Sequence, residues 1–197
     1  MSDQRLQSPA SVPPATPAET RNWAELVLHS GCAQCGFAPG GLAPREASER
    51  VRHSIPSWQA VLDRPDVQVR PDPTTWSPLE YASHVRDLCR LAPARVAAMV
   101  SVDDPTCVDW DQDRAAVDGA YWSQDPAAIR DELTRWALAA AAVLDAVSDS
   151  SAERRGRRSD GSSFTVRTFG ANLVHEIEHH VHDVDGSQPR YVQQQTR

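Results

Sequence analysis

Four of the chain's seven histidines lie in the stretch Val174-His175-Glu176-Ile177-Glu178-His179-His180-Val181-His182. On a helix, residues 175 and 179 stand one above the other, and two imidazoles at i, i+4 suit one divalent metal. Leu173, Ile177, Val181 and Val184 give the same helix a buried side, which argues against a solvated terminal helix with incidental histidines. A third ligand is needed, and His84 lies beside the apolar stripe of Tyr81, Val85 and Leu88. A lone histidine on such a face is ordinarily a core residue; the matching pair elsewhere makes it a ligand candidate. Three histidines from two facing helices leave open coordination positions, the arrangement of a catalytic centre. By the same arithmetic His180 is rotated about 100° from His179 and is expected not to bind. Glu176, about 100° from His175, is expected to turn away toward a polar partner such as a loop arginine.

Other motifs overlap or flank this set. His175-Glu-Ile-Glu-His179 is literally H-E-x-x-H, the zincin signature, with Glu176 in the place of a general base. Against a peptidase, His182 stands where a metzincin needs a turning glycine, no methionine follows Met99, and no sheet is expected before the motif. Cys32-x-x-Cys35 reads as half a zinc site, a redox pair or two buried thiols; His29 and His53 are at no diagnostic spacing, and structural use is the default. Cys89, on a helix face, is expected in the core. Residues 103 to 118 carry six Asp, and Arg154, Arg155, Arg157 and Arg158 follow the third long helix. Either these loops rim a substrate site, with Trp110, Asp111 and Asp113 orienting the substrate and Arg158 gripping an anion, or Asp and Arg lock the loops together.

The elements that must position these residues are helical. Val51, Ile55, Trp58 and Leu62 recur on one face of a first long helix. Ser77-Pro78-Leu79-Glu80 supplies an N-cap, a proline at the first helical position and a capping-box Glu for a second, running toward Val100 with Pro93 as a kink. Asp125-Pro126 starts a third, with Ile129, Leu133, Trp136, Ala140 and Leu144 inward, and a fourth runs from near Thr165 to about Val184. Strand signals are poor; Val67-Gln68-Val69 is the best of them. The reading is an all-α four-helix bundle over 45–185, preceded by a disordered tail (1–20) and an irregular arm (21–44), and followed by a flexible tail (186–197).

Composition narrows the function. All twenty basic residues are Arg and there is no Lys, which excludes Schiff-base chemistry, a lysine base and the P-loop lysine. The formal charge of −7 argues against nucleic-acid binding. The longest apolar run, Trp136 to Leu144, is too short for the roughly 20 residues of a membrane span. No basic-then-apolar leader is present, and the protein is expected to be cytoplasmic.

The stretches Trp76-Ser-Pro-Leu-Glu-Tyr-Ala-Ser-His84-Val-Arg-Asp87, Asp103-Asp-Pro105, Asp109-Trp-Asp-Gln-Asp113, Gly156-Arg-Arg-Ser-Asp-Gly161 and the terminal His175-(x)3-His179-His180 together resemble the DinB-like family of metal-binding four-helix bundles. Relatives there include thiol-dependent transferases and the mycothiol-dependent maleylpyruvate isomerase. An actinobacterial subgroup also carries a Cys-x-x-Cys-Gly-Phe arm, matched by Cys32 to Phe37. The resemblance implies one divalent metal on His84, His175 and His179, with zinc first and nickel or iron next. It does not imply one reaction, since the family hosts several; the reaction expected here is metal-assisted thiol chemistry on a small electrophile, with a low-molecular-weight thiol as co-substrate, mycothiol if the source is an actinobacterium. The alternatives are a metal-dependent hydrolase, with Glu176 or Asp111 as base, and a non-enzymatic metal or small-molecule binder. A homodimer is compatible with the sequence.

Overall fold

A computed structural model describes residues 23–185; the expected tails, 1–20 and 186–197, lie outside the described residues. Six helices carry the fold: α1 (Trp23–Ser30), α2 (Pro44–Leu62), α3 (Pro78–Ser101), α4 (Gln112–Asp118), α5 (Pro126–Asp145) and α6 (Val166–Asp185). The four long ones are those expected. The Ser77 hydroxyl accepts from the Glu80 backbone N–H at 3.3 Å while the Glu80 carboxylate accepts from the Ser77 N–H at 2.8 Å, so α3 starts at a complete capping box. Pro93 lies inside α3, which runs on without interruption.

Helices α2 and α3 each pack on both α5 and α6, so the consecutive α2 and α3 lie largely on a diagonal of the bundle. Trp58, Leu79, Leu133, Leu144 and Ile177, one or two from each long helix, fill the core without exposed surface to speak of. Cys89 lies there too, and burial pushes its thiol up to about 12. A buried ion pair ties α2 to α6: Arg50 donates from Nε to Glu178 at 2.9 Å and again through its second nitrogen.

Two features refine the expected bundle. The arm is only partly irregular, since it opens with α1, whose Val27 reaches the core. A small sheet is present as well: β1 (Thr106–Cys107) runs parallel to β2 (Arg155–Arg158), which pairs antiparallel with β3 (Ser163–Thr165) just before α6. Val67 and Gln68 lie in a turn instead, and Val69 is in no strand. Strand β2 carries no strand signal in the sequence because Arg-Gly-Arg-Arg has no apolar face: its buried position is Gly156, where a Cβ would stand 2.7 Å from the Met99 side chain. Among the described residues no helix is long and apolar enough to cross a membrane.

Candidate functional site

Helix α6 presents two faces of metal-ligating side chains, and they meet different partners. On the face toward α3, single donor atoms of His84, Glu176 and His180 all lie within 4.8 Å of one another. On the face toward the arm, donors of Cys32, Cys35, His175 and His179 converge equally closely. His84, His175 and His179 do not form such a group: the fold divides the expected three-histidine set between two clusters. Helical spacing alone groups residues on one face of α6, and α6 carries two such faces. Glu176 and His180 are themselves an i, i+4 pair, displaced by one residue from His175 and His179, and so by about 100°.

His84 is placed by α3, whose capping box and apolar stripe turn it inward. Its side chain is 1% exposed, and neither ring nitrogen has a hydrogen-bond partner. An imidazole with both nitrogens buried and unsatisfied is costly unless something else takes a lone pair. Burial pushes its pKa down to about 3, reinforced by the charge of His180. Burial works to raise the Glu176 carboxyl, but His175 and His180 outweigh it and hold it well below the carboxylate range. His180 is raised to about 9, since Asp183 and Glu176 overcome its burial. Glu176 therefore turns to histidines and not to a loop arginine. This also removes the zincin arrangement, in which both histidines and the glutamate serve one centre.

Asp183 joins the two clusters. One of its oxygens is 2.8 Å from His180 Nδ1, and the other is 3.6 Å from His179 Nε2. Each ring thus has its outer nitrogen on a carboxylate while its inner nitrogen faces a cluster: His180 Nε2 is 3.6 Å from Glu176, and His179 Nδ1 is 3.6 Å from the Cys32 sulfur. A carboxylate behind a ligating histidine fixes its tautomer and direction.

Aromatic rings wall the α3-side cluster. Trp110 stacks on His84 with centroids 5.3 Å apart, Trp76 lies at 5.6 Å, and Tyr81 packs on His180 at 5.1 Å. Trp110 is thus beside the candidate centre. Asp111 is exposed and caps α4, accepting from the Arg114 N–H at 2.9 Å. Asp113 is half-buried in the first turn of α4, and burial, with the Asp111 charge, raises its pKa. Arg158 donates to Ser162 and lies 2.9 Å from Asp160 and 3.7 Å from Asp109, over the Phe164 ring. Arg157 pairs with Asp104, and Arg154 donates to the Met99 and Val102 carbonyls at the end of α3. The Asp-rich and Arg-rich loops therefore hold each other, through ion pairs and the β1–β2 ladder.

The sequence profile of the DinB superfamily matches residues 47–184, a span that includes His84, Glu176 and His180. The chain belongs to the DinB superfamily. The superfamily's four-helix bundle is what α2, α3, α5 and α6 form. Among solved structures the chain is similar to YfiT from Bacillus subtilis, described as a probable metal-dependent hydrolase with an unusual four-helix bundle topology. The TM-score is 0.66 at 14% identity, over 73% of this chain and 84% of that one, a likeness of fold. No curated protein matches the chain significantly. The DinB superfamily match begins at residue 47, after Cys32 and Cys35, so the arm-side cluster combines residues from outside and inside the matched span.

Proposed function

We propose that the chain is a divalent-metal-dependent enzyme whose metal is held by His84, Glu176 and His180, and that it promotes thiol transfer or isomerisation on a small electrophilic substrate. The observation that carries the reading is the buried, unpartnered His84 facing a carboxylate and a second imidazole. Two imidazoles and one carboxylate suit zinc first, and iron or nickel next. Three protein donors leave room for an exogenous ligand, where a divalent ion supplies Lewis acidity that lowers the pKa of a thiol or a water.

The chain's own residues favour the thiol. A metal-bound water ionises near neutral pH, but its attack on an ester or amide ordinarily also uses a general base beside the metal to handle the proton. The glutamate in the zincin base position is spent as a donor, and Asp183 is engaged by His179 and His180. A thiol, with an ordinary pKa of about 8.5, needs no such base. Trp76, Tyr81 and Trp110 offer flat apolar walls for the electrophile and exclude water around His84. A mycothiol-type compound is the low-molecular-weight thiol of this proposal. The description of YfiT and the His2Glu donor set favour a hydrolase as the second reading.

Metal-loaded protein incubated with small thiols and a panel of electrophiles, beside ester and amide substrates, separates the two. Metal-dependent thiol consumption that is lost in His84→Ala is expected. Ester or amide cleavage without thiol use overturns the thiol reading in favour of hydrolysis.

A further inference from the structure

The second cluster lies outside this proposed centre and has a different chemistry. The chain leaves α1 through Gly31 at φ +78°, where a Cβ would stand 2.7 Å from the Phe37 carbonyl oxygen, so only glycine fits. The Cys32 N–H then donates to the Phe37 carbonyl at 2.8 Å, and the Gly36 N–H, from a second left-handed glycine, donates to the Cys32 carbonyl at 2.9 Å. This closed loop turns both sulfurs to one side. Across from it, α6 presents His175 and His179, one turn apart. Phe37 packs its edge on the His175 ring at 5.2 Å.

The geometry points to a structural zinc site of Cys2His2 type, formed by Cys32, Cys35, His175 and His179, which fastens the N-terminal arm to α6. The four donor atoms lie mutually within 4.8 Å. Tetrahedral zinc, with Zn–S of about 2.3 Å and Zn–N of about 2.0 Å, needs neighbouring donors about 3.3–3.8 Å apart, a small contraction from this arrangement. Four donors close the shell and leave no position for substrate, which marks a structural site. Two thiolates neutralise the ion, and buried charge requires such pairing.

The rival uses of these residues fit less well. A nucleophilic Cys–His pair must be reached by its substrate, yet Cys32 is 4% and Cys35 1% exposed. A redox pair has no need of two histidines converging on the same point. Both cysteines are free thiols, as a metal requires. Two further contacts serve the site as outer-sphere supports: Asp183 stands behind His179, and Glu176 lies 3.7 Å from His175 Nδ1. The arm-side zinc would therefore also brace the residues of the α3-side centre.

Cobalt titration of the full-length chain tests this, because the two clusters differ in sulfur. The Cys2His2 site should give sulfur-to-cobalt charge-transfer absorption in the near ultraviolet together with intense tetrahedral ligand-field bands, both bleached by zinc. His84→Ala should leave the sulfur signal unchanged even if the proposed catalytic centre is lost. Cys32→Ser with Cys35→Ser should abolish it, and His175→Ala or His179→Ala should shift and weaken it. Absence of the signal in the wild-type chain overturns the proposal, whatever the folding of the variants. So does a spectrum unchanged in both histidine variants, which would mean that the cysteines bind alone.

Discussion

The two faces of α6 carry the same kind of ligand pair, i and i+4, yet the surroundings give them opposite characters. Toward α3, two imidazoles and a carboxylate sit among Trp76, Tyr81 and Trp110, with three donors and the oxygen and nitrogen chemistry of a reactive centre. Toward the arm, two imidazoles meet two thiols in a buried loop, with four donors and nothing left over. One helix thus supplies half of an open site and half of a closed one. The difference lies in what packs opposite: a helix that offers one histidine, or a glycine-framed turn that offers two cysteines. Local spacing makes a ligand pair, and the partner element decides its use.

Changes at the donors should separate the faces most. His84→Ala or Glu176→Gln should empty the α3-side centre and drop metal-dependent turnover to background, while metal analysis still finds the sulfur-bound ion. Retained turnover with either change removes the assignment of that residue. Paired Cys32→Ser and Cys35→Ser should do the converse. Thermal or denaturant unfolding should show a loss of about 4 kcal/mol or more, the large class of effect to which loss of a structural metal belongs, with residual turnover in the protein that remains folded. A variant as stable as the parent breaks the contrast between structural and reactive faces.

Asp183→Asn acts on both faces at once. A neutral amide in place of the carboxylate behind His179 and His180 should weaken metal affinity about 10- to 100-fold at each cluster, measured by competition with a chelator. A loss confined to one face would show that Asp183 supports only that one.

Smaller effects are expected where side chains serve the frame. Arg158→Ala removes contacts with Asp109, Asp160 and Ser162 in partly exposed loops and should cost about 1 kcal/mol or less of stability. A large rise in KM with unchanged stability would instead make Arg158 an anion grip. Asp145 is held below the usual carboxylate range first by Arg52 and then by Ser48, both from α2. A depressed folded-state pKa contributes stability that is present above the ordinary carboxylate value, about pH 4, and is lost as pH falls through the lower folded value. Asp145→Asn should therefore flatten the acid limb of the stability profile with little effect at neutral pH. Unfolding curves collected down the acid range check this.

Much of the frame was legible from residue spacing. Val51, Ile55, Trp58 and Leu62 are all buried along α2, as their period demands, and Ser77 with Glu80 marks the start of α3. His84, His175 and His179 were singled out from their neighbours in the chain, and each does lie in a cluster of metal-ligating side chains. Helical period and capping depend on residues a few positions apart, so a linear sequence contains them. The grouping of donors is different in kind. Cys32 and His179 are separated by 147 residues along the chain and 3.6 Å in space. Spacing puts His180 on a different face of α6 from His179, which excludes it as a ligand only if α6 has one partner. The sequence determined which helices form and which side chains could bind a metal. Only the tertiary structure decided which of them meet, because a helix fixes the angle between its side chains but not the elements packed against each side.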